Sequence, residues 1–299
     1  MTATQKTERY GLVPRAWRFI QKPWHEKANH LEHRWNRFVS AIPVPFRLPF
    51  GAWWIRENDN LSEPLRTKNF EHDELSFVQR YLRPGMTVLD VGAHHGLYTL
   101  LASKLVGSSG RVFSFEPSPR ERRKLRLHIA FNLCRNVTVQ ALALGSQEAS
   151  ADLFVVQGAQ TGCNSLRPPD VVSGTAPLPV RVSTLDGWLQ TAGLNRVDFV
   201  KLDVEGAELE VLKGAAKLLD QSARPVILAE VQDVRTAPWG YRAKEILKHL
   251  NDAGYVWFRL LPGGSLQELD LSPGSFDGNF VACPRESTAA LRSFLSPCP

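Results

Sequence analysis

A chain of 299 residues with 43% hydrophobic content can hold one large α/β domain or two small ones. It contains no apolar run approaching the ~18–20 residues of a spanning helix, and no apolar stretch follows Met1 to Lys6, so neither a membrane span nor a secretory leader is expected. The net charge of +6 permits an acidic partner without requiring one, and Cys134, Cys163, Cys283 and Cys298 form no C-x-x-C pair, which makes reduced thiols and a cytoplasmic location the expectation.

Residues 1–60 differ from the rest. Trp17, Trp24, Trp35, Trp53 and Trp54 are interleaved there with Arg15, Arg18, Lys22, Lys27, Arg34 and Arg37. Leu31, Trp35, Phe38 and Val39 recur at helical spacing within 25–39. The segment reads as a packed extension or lid, as a helix making peripheral membrane contact, or as a basic nucleic-acid arm. Pro43, Pro45 and Pro49 then suggest a boundary. The expected organisation is an extension at 1–60, a main domain at 61–285 and a tail at 286–299.

A helix over 70–81 and the turn Pro84-Gly85 lead into a strand of Val88, Leu89 and Val91, which runs into Gly92 and Gly96 and a helix from Tyr98. Strand, glycine turn and helix start bring backbone N–H groups close to a ligand. The middle glycine of a G-x-G-x-x-G dinucleotide fingerprint is missing, which disfavours a nicotinamide dehydrogenase. Asp90 before the turn suits a cationic group such as the amino group of S-adenosylmethionine. The next strand, 111–116, ends in Glu116, 26 residues after Asp90. An acid there accepts ribose hydroxyls; the alternative is that it caps the following helix.

The helix over 120–132 clusters Arg120, Arg122, Arg123, Lys124 and Arg126, a solvated face or a phosphate-binding one. A third strand is expected over 137–144, and short strands over 153–156 and 180–183 flank a Gly/Pro/Ser-rich loop, 158–179, suited to shaping an acceptor pocket. In the strand expected over 198–205, period two puts Lys201, Asp203 and Glu205 on one side. A lysine inside a buried parallel strand is costly unless paired. A helix over 207–219, a strand over 225–231, a helix over 241–253 and strands over 256–261 and 280–283 complete the pattern. Strands alternating with helices predict an α/β fold: a mostly parallel Rossmann-like sheet of seven strands, as in methyltransferases, with an antiparallel edge.

The chain resembles FkbM-type methyltransferases in Val88-Leu89-Asp90-Val91-Gly92-Ala93-His94-His95-Gly96-Leu97-Tyr98-Thr99, Phe115-Glu116-Pro117-Ser118, Asn132 through Asn136-Val137, Ala143-Leu144-Gly145, Thr184-Leu185-Asp186 and Val200-Lys201-Leu202-Asp203-Val204-Glu205-Gly206-Ala207-Glu208. The order and spacing hold over roughly residues 70–260. The resemblance implies S-adenosylmethionine as cofactor, held at Asp90, Gly92, Ala93, Gly96, Glu116, Pro117 and Leu144, and methylation of a hydroxyl on a sugar or other small molecule. It also puts Asp203 and Glu205 in the active site. The family commonly has Ala-Asn where this chain has Ala93-His94, which adds a titratable group. The acceptor proton needs a base: Asp203 is the first choice, with Glu205, His94, His95 and Glu230 as alternatives. No metal and no nucleic-acid partner is expected. The rival reading is a cofactor-fold protein that mainly binds nucleic acid or a membrane surface through its basic segments.

Overall fold

The structure, a computed structural model, describes residues 44–56, 61–67, 70–171 and 173–295. The chain divides into a unit of Met1–Val44 with Arg56–Asn58 and a unit of Pro45–Ile55 with Asp59–Pro299. Only Val44 and Arg56 of the first are described, so the helix expected over 25–39 lies outside the described residues. The second unit has strands β1 (Pro45–Arg47), β2 (Trp53–Ile55), β3 (Thr87–Val91), β4 (Arg111–Phe115), β5 (Val137–Gln140), β6 (Ala143–Leu144), β7 (Ala149–Val156), β8 (Thr175–Ser183), β9 (Phe199–Leu202), β10 (Val226–Gln232), β11 (Tyr255–Leu261), β12 (Ser265–Glu268) and β13 (Asp277–Pro284).

The main sheet has the order β12-β11-β13-β10-β9-β3-β4-β5. Strands β10, β9, β3, β4 and β5 run parallel, and β13 and β11 add antiparallel neighbours at one side. Parallel strands covered on both faces are apolar on both faces, and two cores result. Leu89, Val91, Val200, Leu202 and Ile227 face helices Leu185–Ala192, Glu208–Lys213 and Ala243–Asp252. Val88, Val112, Phe199 and Leu228 face helices His72–Tyr81 and Leu97–Val106. This is the expected Rossmann-like methyltransferase architecture. It carries one strand more than the seven expected: β12 pairs with β11 through Leu266, fully buried between polar neighbours that hide its strand character.

Several elements depart from the expected bounds. The apolar run 137–144 is two strands, because β5 ends at Gln140 and β6 leaves for a second sheet, β6-β8-β7. Strand β8 begins at Thr175, inside the expected loop, and β7 begins earlier than expected, at Ala149, leaving 157–174 as the connection. The helix over 207–219 is interrupted at Gly214, whose backbone packs against the Gly145 carbonyl. Strand β9 stops at Leu202, so Asp203 and Glu205 lie in the exit turn, Glu205 with φ 56, rather than on the strand, although both still line the same cavity as Lys201.

Strand alternation separates two adjacent tryptophans on β2. Trp53 is 39% exposed, whereas Trp54 is fully buried and stacks on His128 with ring centroids 4.1 Å apart. At the other end Leu291 and Phe294 are buried in the same core as Phe77. We propose on this basis that the folded domain starts at Pro45 rather than at 61 and continues past 285. Among the described residues no helix is long and apolar enough to cross a membrane.

Candidate active site

Two loops at the carboxyl ends of β3 and β9 are in backbone contact. The Asp203 amide donates to the Val91 carbonyl, and a Cβ on Gly92 would lie 1.7 Å from the Asp203 carbonyl oxygen. With φ 86 as well, only glycine fits there. The second loop has the same requirement at Gly206, φ 101, where a Cβ would meet the Arg235 carbonyl oxygen at 2.1 Å. Glu208, buried, braces this turn by accepting from the Val204 and Gly206 amides.

Glu116 joins the glycine turn to the next helix. One carboxylate oxygen accepts from the His94 amide and the other from the Ser118 amide, each at 2.8 Å. The side chain thus braces the helix start and also lines a pocket. Burial, reinforced by Glu121 and opposed by its two backbone donors, pushes its pKa up to about 8. That pocket, about 60 Å³, has apolar walls from Phe115, Pro117, Leu142, Leu144 and Val204.

A larger cavity of about 320 Å³ adjoins it, and Gly92, His94, Thr161, Asp203 and Glu205 line both. Asp90, Ala93 and Gly96 border the larger cavity. Asp90 is buried, accepts from Thr99 Oγ1 at 2.5 Å, and is pushed up to about 6 by burial. The His94 ring stacks on His95 with centroids 3.7 Å apart and places Nε2 3.0 Å from Thr161 Oγ1. It therefore ties the glycine turn to the 157–174 loop.

Lys201 is the buried cation at the cavity floor, 1% exposed. Its ammonium donates to Asp203 Oδ2 at 3.0 Å and Asn279 Oδ1 at 3.2 Å, and lies 5.2 Å from the centre of the Tyr98 ring. Burial opposes its charge, but Asp203, Glu71 and Glu230 outweigh it and hold its pKa above the ordinary lysine value. Glu205 forms an ion pair with Arg235 at 2.8 Å that is not aligned as a hydrogen bond. Burial, then the Asp203 charge, pushes Glu205 up to about 8.

Glu230, at the carboxyl end of β10, brings a carboxylate oxygen within 4.8 Å of those of Asp203 and Glu205. Its Oε2 is buried with no hydrogen-bond partner, and burial with the neighbouring acids raises its pKa well above the carboxylate range. The sequence signals missed Glu71, which adopts φ 43, accepts from the Tyr98 hydroxyl at 2.5 Å and is pushed up to about 7 by burial. Nothing in the residues around it marks it apart from an ordinary acidic helix start. Asn279 was equally invisible, since only the antiparallel pairing of β13 with β10 brings it to Lys201.

The chain matches the methyltransferase FkbM domain over residues 90–257, more than half of its length. It is 26% identical over 241 residues to the AMB antimetabolite synthetase AmbE of Pseudomonas aeruginosa, which aligns 70% of this chain with 11% of that protein. It is 24% identical over 152 residues to the 2-O-methyltransferase NoeI of Sinorhizobium fredii, covering 47% of this chain and 61% of that one. The chain thus spans less than two thirds of the length of these relatives. A crystal structure of an FkbM methyltransferase from Methylobacillus flagellatus is 16% identical, with a TM-score of 0.42 over 70% of this chain and 50% of that one. The domain match extends from Asp90 through both site loops: the chain belongs to the FkbM methyltransferase family, and S-adenosylmethionine is its cofactor.

Proposed function

We propose that the protein methylates a hydroxyl oxygen on a sugar or another small molecule. The observation that carries this reading is the acidic cavity itself. Glu71, Asp90, Asp203, Glu205 and Glu230 line it, with Lys201 as the cation among its walls. Such a surface offers carboxyl groups as hydrogen-bond partners to a polyhydroxylated acceptor, and its cation, Lys201, is engaged with Asp203 rather than open to a phosphate. The name of the relative NoeI, a 2-O-methyltransferase, is consistent with it.

The residues fit the cofactor. Gly92, Ala93 and Gly96 keep the turn narrow, Glu116 faces a pocket where it can accept ribose hydroxyls, and Pro117 and Leu144 give apolar walls for a flat ring. Asp90 is the carboxylate for the amino end. When bound, the cofactor supplies an electrophilic methyl group on a sulfonium, and the sulfur keeps the bonding electrons. The chain then has to orient the acceptor oxygen and take its proton. Asp203, whose Oδ2 is already engaged by the Lys201 ammonium, is better suited to orienting the hydroxyl. Glu230, with an unpartnered oxygen, is the better proton acceptor, Glu205 sharing its charge. His94, engaged with Thr161 and His95, braces the loop.

Binding of S-adenosylhomocysteine, read by calorimetry, is expected to tighten as pH rises through about 8, because ionised Glu116 is the stronger acceptor. Glu116→Gln should flatten that dependence and cost ~1.5–3 kcal/mol of affinity. NAD should produce no shift in melting temperature.

Transfer of labelled methyl groups to fractionated cell extract tests the reaction itself. Label in base-stable small-molecule ethers is the expected result, and label only in RNA or protein overturns the reading. With an acceptor identified, Glu230→Gln should lower turnover by ~10²-fold or more, whereas Asp203→Asn should mainly raise KM. A Glu230→Gln enzyme with full turnover would return the base role to Asp203.

A further inference from the structure

Helix Pro119–Phe131 and the adjoining pair β1–β2 share one outward surface unrelated to the cavity. Leu127 and Phe131, one turn apart, are 47% and 46% exposed, and Leu133 just beyond them is 77% exposed. Trp53 meets Phe131 edge to face with centroids 6.3 Å apart. Hydrogen bonds in both directions tie the Trp53 backbone to the Asn132 amide. Trp53 and Phe131 are therefore held together, with Leu127 one turn back on the same helix and Leu133 two residues beyond it.

The exposed charges on these two stretches, 45–55 and 119–135, are of one sign. Arg47 lies over the Trp53 ring at 5.2 Å, and Arg123, Arg126 and Arg135 are exposed. Within 45–55 and 119–135 the only acid is Glu121, fully buried against Ser118 and Arg120. Clustered apolar side chains in water call for a partner. Exposed arginines call for an anionic one. A nucleic acid would satisfy the arginines but offer little to Leu127 and Leu133. An anionic bilayer satisfies both, since aromatic and aliphatic tips enter its interfacial zone while guanidinium groups meet the headgroups.

We propose that this face docks the protein on an anionic lipid surface. The test is co-sedimentation of the full chain with vesicles of phosphatidylcholine alone and of equal parts phosphatidylcholine and phosphatidylglycerol. The protein is expected to pellet with the mixed vesicles and not with the neutral ones, less so at high salt. Leu127→Ser with Phe131→Ser, and separately Arg123→Glu with Arg126→Glu, should each lower the bound fraction at least ~tenfold. All four positions are on the surface, so melting temperatures should be unchanged; Leu127→Ala with Phe131→Ala provides the milder pair if the serines disturb the fold.

Three results would overturn the proposal. The protein does not pellet with anionic vesicles, or the variants pellet as well as the parent chain. The third is that the same substitutions abolish self-association in sedimentation equilibrium, or binding of a single-stranded RNA oligonucleotide, and leave vesicle binding intact.

Discussion

Lys201→Met is expected to lower the unfolding free energy by about 3–5 kcal/mol at neutral pH, the cost of removing one partner from a buried charged set. Methionine keeps the straight chain and most of the volume, so the loss is electrostatic. Lys201 pulls down the pKa values of Glu71, Asp90 and Glu230, and of Glu205 together with the stronger pull of Arg235. The sign of the pH dependence follows. Each of these acids already has a folded pKa above its unfolded one, with Glu71 at about 7 and Glu205 at about 8. Their stabilising contribution is complete below the unfolded value of ~4.3 for glutamate and is lost as pH rises through the folded values. Without Lys201 those values move higher still. The deficit of the variant should therefore be greatest near pH 8–9, above Glu205's pKa of about 8, and shrink toward pH 4–5, near the unfolded carboxylate value of ~4.3. Urea melts across that range measure it. A variant as stable as the parent at pH 8 would mean that the buried charges are compensated some other way.

Trp54→Ala should cost a similar amount, about 3–5 kcal/mol, as loss of a large core side chain does. Trp54→Phe should cost much less, because the indole N–H has no hydrogen-bond partner to lose. Trp53→Ala, on the exposed side of the same strand, should stay within ~0.5 kcal/mol. The same comparison locates the domain boundary. Removing residues 1–44 leaves the strand pair in place and should leave cooperative unfolding, whereas removing 1–60 takes Trp54 with it and should cost as much as the alanine substitution or more. Equal stability of the two truncated chains would restore the boundary near residue 60.

The sequence shows best what the backbone dictates. Gly92 and Gly206 stand where no other residue fits, so the two loops that define the site announce themselves in the chain. Lys201 was legible for the same kind of reason, as a charge in a strand that must otherwise be apolar. Period two grouped Lys201, Asp203 and Glu205 as the cavity does, but for another reason than alternation, because β9 ends at Leu202 and the two acids are carried by the turn after it. The run 137–144 gave no warning that it changes sheets, since both sheets want apolar residues. Glu230 was a candidate base from the sequence, but its meeting with Glu71 at the cavity, and with Asn279 through Lys201, joins three separate elements and is created only by the tertiary arrangement. Trp53 and Trp54 are chemically identical, and only the facing of β2 decides which one is core.

The contact between Gly92 and the Asp203 carbonyl has a mechanical consequence. Two loops whose backbones touch, one bracing the cofactor turn and the other carrying the acids, have no slack between them. They behave as one lever: whatever shifts the turn at Gly92–Gly96 also moves Asp203 and its tether to Lys201. On the function proposed above, a change in how the donor is seated would be transmitted to Asp203 through a hard steric stop, which carries displacement with little loss.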